Sequence, residues 1–539
     1  MPTNEAKIAI PFENMAISLS GGGYRATTFH LGALSYLDSR LYGEKELLQN
    51  VKIVSTISGG TLTGVMYALK LAQGKSFLDC YQKLYLLLKK DRLVDHALEK
   101  LNKPKTWENT NKTRDVINAF AEVYNEEFYD KATFEELFDG KKSHLEDVIF
   151  GSSEFTHGLQ FRFQEDKANG KFGNYYLNLP IESAKKIRLA DAAASSSCFP
   201  GGFEPMIMPR DYGNGKDNLV VKSWEEKNYQ PTGIMDGGII DNQGIEGVKL
   251  AEQRNKTSAQ DFIGTYIISD VTSQKMIPYP VPIFKNNGLQ NLLSVKLINV
   301  IFSILSVIFV AGLATDYFKF YGIIASTVFL TLFAAWFIGY FIITKIIRKT
   351  ITSMFGYKNS PELLEHLGVI NKTPIYVLIY LIKLRVTSVM QMVSDIFLRR
   401  IRTLQLGALF TSKDWNYRIK PNNIYTLSDN DTLPETMQDI VKTANNMPTT
   451  LWFSEKEKKA NTLEKLIACG QFSLCKNLMD YIDGLKKAKT KERVWDQLDS
   501  TSQNNIDQLR RDLEEDWKTF LVDPFWLVND YNEKMKFKG

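Results

Sequence analysis

The sequence predicts an α/β domain reaching to about residue 275, then two membrane-spanning helices, then a region rich in helix. Two short apolar strands near the N-terminus each run into a glycine turn and a helix, the rhythm of a mostly parallel sheet. Phe262 to Ser269 reads as a further buried strand. Downstream, two long stretches carry no charge, which is how a membrane span is written.

At 539 residues the chain has room for two to four domains. Its net charge of +5 permits attraction to anionic lipid and gives no argument for a nucleic-acid partner. The four cysteines (Cys80, Cys198, Cys469, Cys475) form no CxxC pair and have no histidine at metal spacing, so a reduced compartment without structural metal is expected. The five histidines (His30, His96, His144, His157, His366) stand apart, which gives zinc little support. Met1 to Phe12 contains Glu5 and no apolar run of signal-peptide length, so folding in the cytoplasm is the expectation.

The first strand–turn–helix unit is Ala16 to Ser20, then Gly21-Gly22-Gly23-Tyr24-Arg25-Ala26, then a helix from about Thr27 to Leu41 with Phe29, Leu31, Leu34 and Leu37 on one face. Bare backbone N–H groups converge at such a helix N-terminus and bind anions. The loop lacks the Lys-Ser/Thr ending of a P-loop, and Ala26 stands where a dinucleotide fingerprint has its last glycine. A phosphate cradle and an oxyanion hole are the two uses open to it, the latter with Arg25 adding charge nearby.

The second unit is Val51 to Val54, then Ser55-Thr56-Ile57-Ser58-Gly59-Gly60-Thr61, then a helix to Leu71 carrying Leu62, Val65, Met66 and Leu69. A serine between a buried strand and a helix, with glycines behind it, has the layout of a nucleophile elbow. Alone, a Ser-Gly-Gly turn is more often a plain strand-to-helix connection than a catalytic one. An anion-binding turn beside a serine turn favours a hydrolase.

Phe77 to Glu146 reads as charged helices whose Trp107, Phe120, Tyr124, Phe128, Phe134 and Phe138 are core or lid positions. Thr156 to Phe163 and Tyr175 to Leu179 look like strands. The small-residue run from Arg188 to Gly202 suits close packing, and its Asp191 reads as a helix cap. In Gly233 to Asn242, an apolar run ends on Asp236-Gly237-Gly238, a turn that lets a carboxylate approach another backbone closely.

Leu297 to Ala314 holds 18 uncharged residues and Tyr321 to Thr344 holds 24, with only Thr315 to Phe320 between them. Each is long enough to cross a hydrocarbon core of ~30 Å, so the pair reads as a transmembrane hairpin. Lys285 and Lys296 precede it and Lys345, Arg348 and Lys349 follow, which places both flanks in the cytoplasm. Pro374 to Leu384 is apolar but too short to span; it reads as a core strand, a core helix or an interfacial segment. A helix with Val389, Met390, Met392, Val393, Ile396 and Phe397 leads into Arg399, Arg400 and Arg402, which face lipid headgroups or form a solvated helix end. Asn423 to Leu427 looks like a last strand, and from Pro434 onward the chain is charged and helical.

Gly21-Gly22-Gly23-Tyr24-Arg25, Ser58 in Thr-Ile-Ser-Gly-Gly and Asp236 in Asp-Gly-Gly resemble, in order and spacing, the patatin-like phospholipase family. So do Cys198-Phe199-Pro200-Gly201-Gly202-Phe203-Glu204-Pro205 and Asp241-Asn242. The resemblance is strong from about residue 14 to 275 and weaker from Val386 to Leu427. It implies a three-layer α/β/α hydrolase core at 1–285, continued at 345–430, so that the hairpin at 297–344 is an insertion; it does not extend to the helical C-terminal region at 431–539.

The resemblance also implies Ser58 as nucleophile and Asp236 as general base. Gly21, Gly22, Gly23 and Arg25 would form the oxyanion hole, Thr56, Gly59 and Gly60 the elbow, and Gly237 and Gly238 the aspartate turn. Two departures are Thr56 at the first glycine position of G-x-S-x-G and Ala26 at the end of the glycine loop. The implied activity is hydrolysis of membrane phospholipid or another acyl-ester lipid, without cofactor or metal, at a membrane such as a bacterial inner membrane. An acyltransferase and an inactive membrane scaffold or lipid-binding protein are the competing readings. His30, inside the first helix, reads as a packing residue.

Overall fold

The computed structural model describes residues 9–103, 107, 111–141, 143–166, 170–213, 218–256, 262–274, 279, 294–314, 327–328, 330–339, 341, 345, 372–487 and 494–538. Residues 1–276 and 393–539 form one compact unit and residues 277–392 a second.

The first unit is built on a mixed sheet. Its strands are β1 (Met15–Leu19), β2 (Val51–Ile57), β3 (Asp147–Glu154), β4 (Leu159–Asp166), β5 (Phe172–Gly173), β6 (Asn178–Leu179), β7 (Met206–Met208), β8 (Thr232–Asp236), β9 (Thr265–Asp270) and β10 (Ile419–Asn423). The order is β10-β9-β1-β2-β3-β4-β5-β6, and β8 pairs with both β3 and β7. The five strands from β10 to β3 run parallel, and the pairings beyond β3 are antiparallel. The helices that matter for the site are α1 (Gly23–Ser39), α2 (Gly59–Ala72), α3 (Leu189–Ser196), α4 (Ile245–Asn255), α5 (Leu398–Thr411) and α6 (Thr462–Lys487).

Parallel strands covered on both faces must send alternate side chains to opposite sides. In β1, Ala16 joins the apolar cluster of Ile245, Val248 and Ala251 from α4, while Met15, Ile17 and Leu19 join the cluster of α1, α2 and α6. Ile267 and Ile268 of β9 divide the same way. Helices therefore cover both faces of the sheet.

Helix α1 starts at Gly23, earlier than the sequence pattern suggests, and is buried from Gly23 to Leu37 on every side rather than on one face. The reason is α6, which packs along it. A Cβ on Gly32 would stand 2.1 Å from the Ile467 carbonyl oxygen, and one on Gly470 2.1 Å from that of Phe29, so the two backbones touch where neither has a side chain. Gln471 Nε2 also donates to Ser35 Oγ at 2.9 Å. The C-terminal helices, read from sequence as a region of their own, thus supply part of the first unit's core.

Other differences are local. Strand β3 was not marked by the sequence pattern, although Val148, Ile149 and Phe150 lie in it. Strand β4 begins at Leu159, and Tyr175 and Tyr176 are exposed before β6. The last strand is Ile419–Asn423 rather than Asn423 to Leu427; Pro421 argues against a central strand, but β10 is an edge, where a missing N–H is tolerated. Asp191 does not cap a helix: it is buried and paired with Arg188 (2.8 Å) and Lys112, with Glu122 also held by Arg188 (2.7 Å).

In the second unit, Val295–Ala314 is a helix of 20 residues, covering the first predicted span. Of the second span, 327–328, 330–339 and 341 are described as helical, and 321–326, 329, 340 and 342–344 lie outside the described residues. Trp336 Nε1 donates to Asn299 Oδ1 at 3.0 Å, and Phe302 stacks on Trp336 and touches Phe333, so the two helices pack antiparallel. Among the described residues the one helix long and apolar enough to cross a membrane is Ile375–Thr411. Pro374 to Leu384, which reads as too short to span, opens this helix. It is no core element, since Ile379, Ile382, Val386 and Val389 are exposed along one stripe.

Candidate active site

The C-terminal ends of parallel strands are where α/β sheets present their chemistry, and both glycine turns lie there. Ser58 follows β2 directly and precedes α2, with φ 52° and ψ −122°. A non-glycine residue at positive φ is strained, and strain of this kind at a strand-to-helix turn is the mark of a nucleophile elbow. The neighbours that permit it are small by necessity. A Cβ on Gly59 would lie 2.1 Å from the Gly23 carbonyl oxygen, and one on Gly60 2.3 Å from that of Leu19. Thr56, the departure from the motif, is accommodated because Gly64 lies against its methyl group, and its Oγ1 donates to Thr61 Oγ1 at 3.0 Å.

Asp236 ends β8, and its carboxylate accepts the Gly238 N–H at 2.7 Å. Gly237 presses on β3, where a Cβ would stand 2.3 Å from the Gly151 carbonyl oxygen. Burial pushes the Asp236 carboxyl up to about 6, against the Gly238 N–H, the Ser58 hydroxyl and, more weakly, Arg402. Ser58, just after β2, and Asp236, the last residue of β8, therefore lie close together.

Gly21 stands against Ser58, its Cα facing the Ser58 Cβ, and its N–H donates to the Asn242 carbonyl at 3.1 Å. Among the described residues no acceptor takes the Gly22 and Gly23 N–H groups, and Gly22 and Gly23 both hold positive φ (146° and 56°). Arg25 does not reach toward the serine. It is buried, its Nη1 donates to the Met447 carbonyl (2.7 Å) and Ser273 Oγ (3.2 Å), and burial with Arg402 nearby lowers it to about 10. His30 is fully buried with Nε2 on the Ser20 carbonyl (3.0 Å) and Nδ1 on Ser269 Oγ (3.0 Å), and burial lowers it to about 4; it is a neutral packing residue.

Three features of the site lie outside what the sequence pattern marked. Ser196, in the small-residue helix α3, accepts the Ser58 N–H (2.9 Å), donates to the Gly151 carbonyl (2.7 Å) and touches Thr61 Oγ1 (2.9 Å). The same run holds the aspartate turn, as the Asp236 N–H donates to the Cys198 carbonyl (3.1 Å). Residues 447–450 cover the glycine loop: the Tyr24 N–H donates to the Thr450 carbonyl (2.8 Å), and a Cβ on Gly23 would lie 2.3 Å from that oxygen. Helix α5 docks beside the site, where Arg399 and Arg402 face inward; of the basic group read from the sequence as lipid-facing or solvated, only Arg400 is exposed. Arg399 bonds the Ser273 (2.8 Å) and Gln274 (3.0 Å) carbonyls, and Arg402 lies 3.6 Å from Asp270.

This arrangement has a strained serine hydroxyl, a carboxylate opposite it and unclaimed N–H groups at a helix N-terminus, which together suit acyl transfer from an ester. Comparison with known proteins agrees: residues 17–248 match the family described as patatin-like phospholipase. Residues 17–248 form a patatin-like phospholipase domain. A patatin-like domain implies a lipid acyl hydrolase in general terms. No curated protein matches the chain. The patatin-like match ends before α5, residues 447–450 and α6, so parts of the site's surroundings come from outside it.

Proposed function

We propose that the chain is a membrane-anchored serine hydrolase of the phospholipase A or lysophospholipase kind, acting through a Ser58–Asp236 dyad. The observation that carries this reading is the strained Ser58 facing the carboxylate of Asp236. Asp236 takes the Ser58 proton as the serine oxygen attacks the ester carbonyl of an acyl lipid. The N–H groups of Gly22 and Gly23, with that of Gly59 at the head of α2, stabilise the oxyanion; the Gly21 N–H is already engaged. The proton passes to the leaving alcohol, and water, deprotonated by Asp236, releases the fatty acid from the acyl-enzyme. Arg25 holds the 447–450 segment on the glycine loop instead of binding the oxyanion.

The anchor in this reading is the pair of apolar segments Leu297–Ala314 and Tyr321–Thr344, with the catalytic unit on the cytoplasmic side. Its support is two uncharged runs of spanning length, flanking lysines and arginines, and exposed Val300, Ile304, Val307, Leu332 and Phe337 on helices that pack together. The helix Ile375–Thr411 is not taken as a span, because its α5 portion is docked on the catalytic unit through Arg399 and Arg402. The exposed stripe at Ile379, Ile382, Val386 and Val389, with Lys383 and Arg385 in the same helix, suits the plane of a lipid surface.

The test is product analysis on phospholipid vesicles with the wild type, Ser58→Ala and Asp236→Asn. Free fatty acid from the wild type alone supports the dyad, and equal release by all three proteins rules it out. Label arriving mainly in new esters makes the enzyme an acyltransferase. Extraction of the full chain by carbonate without detergent rules out the anchor.

A further inference from the structure

Tyr24 follows Gly23 directly and is fully buried, yet its hydroxyl has no hydrogen-bond partner among the described residues. A buried phenol ordinarily finds one. Tyr24 lines a cavity of about 370 Å³ at the turn between helix Phe77–Lys90 and helix Leu93–Asn102. Lys90, Arg92 and His96 give this cavity its polar lining, and Leu87, Leu93 and Phe128 give it apolar surface. The carboxylates nearby are already engaged. Glu127 pairs with His96, and Asp91 accepts from Lys458 Nζ (3.0 Å) and the Phe453 N–H (3.1 Å). The neighbouring cations Lys89 and Lys100 are paired too, with Glu464 (3.4 Å) and Glu126 (2.6 Å), whereas Lys90 and Arg92 have no ion-pair partner among the described residues. Arg92 stands just before helix Leu93–Asn102, whose first turn no side chain caps, so the positive end of that helix adds to theirs.

We propose that this cavity binds a phosphate ester: Arg92 and Lys90 hold the phosphate, the Tyr24 hydroxyl donates to it, and Leu87, Leu93 and Phe128 receive the organic part. Ser58 does not line the cavity, so the site stands whether or not the dyad does.

A carboxylate ligand carries one charge and calls for one cation. Two unpaired cations, a hydroxyl without a partner and a bare helix start match a group with several oxygens and more than one charge, which is phosphate. The apolar lining argues against a bare ion, since inorganic phosphate would leave Leu87, Leu93 and Phe128 uncovered. A volume of about 370 Å³ is at the small end for ligand pockets, which run to about 1,000 Å³. It accommodates the polar end of a lipid or a soluble ester of similar size, and not two acyl chains. The ligand would also act on the glycine loop. Tyr24 donates its N–H to the Thr450 carbonyl (2.8 Å) and sets its ring against Phe453 at 5.5 Å, and Phe453 is tied back to Asp91 at the helix turn. A molecule held between Arg92 and Tyr24 therefore steadies the segments that form and cover the loop.

The experiment is calorimetric titration of glycerol 3-phosphate into the detergent-solubilised full chain, with inorganic phosphate and glycerol as comparison probes. The proteins are wild type, Arg92→Gln, Tyr24→Phe, Lys89→Gln and Ser58→Ala. Tyr24→Phe keeps the ring against Phe453 and removes only the unpaired hydroxyl, so the fold is retained. The expected result is saturable binding of glycerol 3-phosphate, weaker binding of inorganic phosphate and none of glycerol. Affinity should fall about tenfold in Arg92→Gln and about threefold in Tyr24→Phe, and hold in Lys89→Gln and Ser58→Ala. No binding by the wild type overturns the proposal, and so does equal binding by wild type and Arg92→Gln. A loss in Lys89→Gln as large as in Arg92→Gln means general charge attraction and overturns it too. Hydrolysis of dihexanoyl phosphatidylglycerol and of p-nitrophenyl butyrate then separates the two sources of the phosphate. A KM raised in Arg92→Gln for the phospholipid alone assigns the site to the lipid headgroup. An unchanged KM, with p-nitrophenyl butyrate turnover altered by glycerol 3-phosphate, assigns it to a soluble ligand. Binding retained by a chain without esterase activity keeps this site and removes the dyad.

Discussion

Ile57 and Asp236 face consecutive residues of the same strand: Ile57 lies opposite Gly151 and Asp236 opposite Ser152. Strand β2 runs parallel to β3 and ends at that point; β8 comes from the other direction, antiparallel, and ends there too. Two strands thus occupy one edge of β3 end to end, and the residues at their tips are Ser58 and Asp236. Gly151 marks the junction, since a Cβ there would stand 2.5 Å from Ile57 Cδ1. The serine and the carboxylate meet because β3 changes partners at a glycine.

The charge state of Asp236 sets opposite demands on activity and stability. Folding raises its carboxyl from 3.8 to about 6, so the folded chain holds the proton more tightly than the unfolded chain does. Its contribution to stability is therefore greatest at low pH and declines as pH rises through that interval and past 6. Catalysis needs the ionised form and should rise over the same range, with an acid limb near 6. Asp236→Asn keeps an acceptor for the Gly238 N–H without the buried charge. It should abolish turnover while stabilising the neutral-pH protein by on the order of 1–3 kcal/mol. Thermal melts of the two proteins at acid and neutral pH check this; a variant whose advantage over wild type is no larger at neutral pH than at acid pH contradicts it.

Ser196→Ala should reduce activity without touching the dyad. It removes the acceptor of the Ser58 N–H and the donor to the Gly151 carbonyl, both buried. An unsatisfied buried group costs about 1–3 kcal/mol, so a lower melting temperature and a lower kcat are expected together. Ser195→Ala is the comparison, because the Ser195 hydroxyl donates to carbonyls within its own helix and should be replaceable with little effect on kcat.

Gly59→Ala should inactivate the protein. Its methyl group has no space beside the Gly23 carbonyl oxygen, so the glycine loop must move away from Ser58. Losing one oxyanion donor typically lowers turnover by on the order of 100–1000-fold, and displacing the whole loop should do at least that. Ester hydrolysis by purified variant is the measurement, and near-normal turnover would show that the loop tolerates the shift.

Gly32→Ala tests whether α6 belongs to the catalytic unit. Helix propensity alone favours alanine by about 1 kcal/mol. The methyl group, however, would fall 2.1 Å from the backbone of α6 at Ile467, and forcing two packed helices apart costs about 1–3 kcal/mol or more. A net loss of stability, seen in denaturant unfolding, is the expected outcome; a gain would mean that the helices are not in contact in solution.

The residues proposed for the chemistry were legible because each announces itself locally: Ser58 and Asp236 sit beside glycines that only a tight turn requires. What surrounds them was not, because its signals are distributed. Strand β3 carries Val148, Ile149 and Phe150 but ends in Gly-Ser-Ser-Glu, which breaks the apolar run just where the strand changes partners. Ser196 is one of three consecutive serines, and nothing in the sequence singles it out. Arg402 looks like a member of a basic surface group until α5 is seen to turn Arg399, Arg402 and Gln405 inward. Thr450, which covers the glycine loop, lies in a segment with no motif at all.

The contact between α1 and α6 joins residues 436 positions apart, Ser35 and Gln471. During synthesis the glycine loop and Ser58 leave the ribosome long before the helix that buries α1, and before the 447–450 segment that covers the loop. In this chain Ser58 and the glycine loop are made several hundred residues before the 447–450 segment that covers the loop and the helix that packs on α1, so the surroundings of the site are completed only once both halves of the first unit are present.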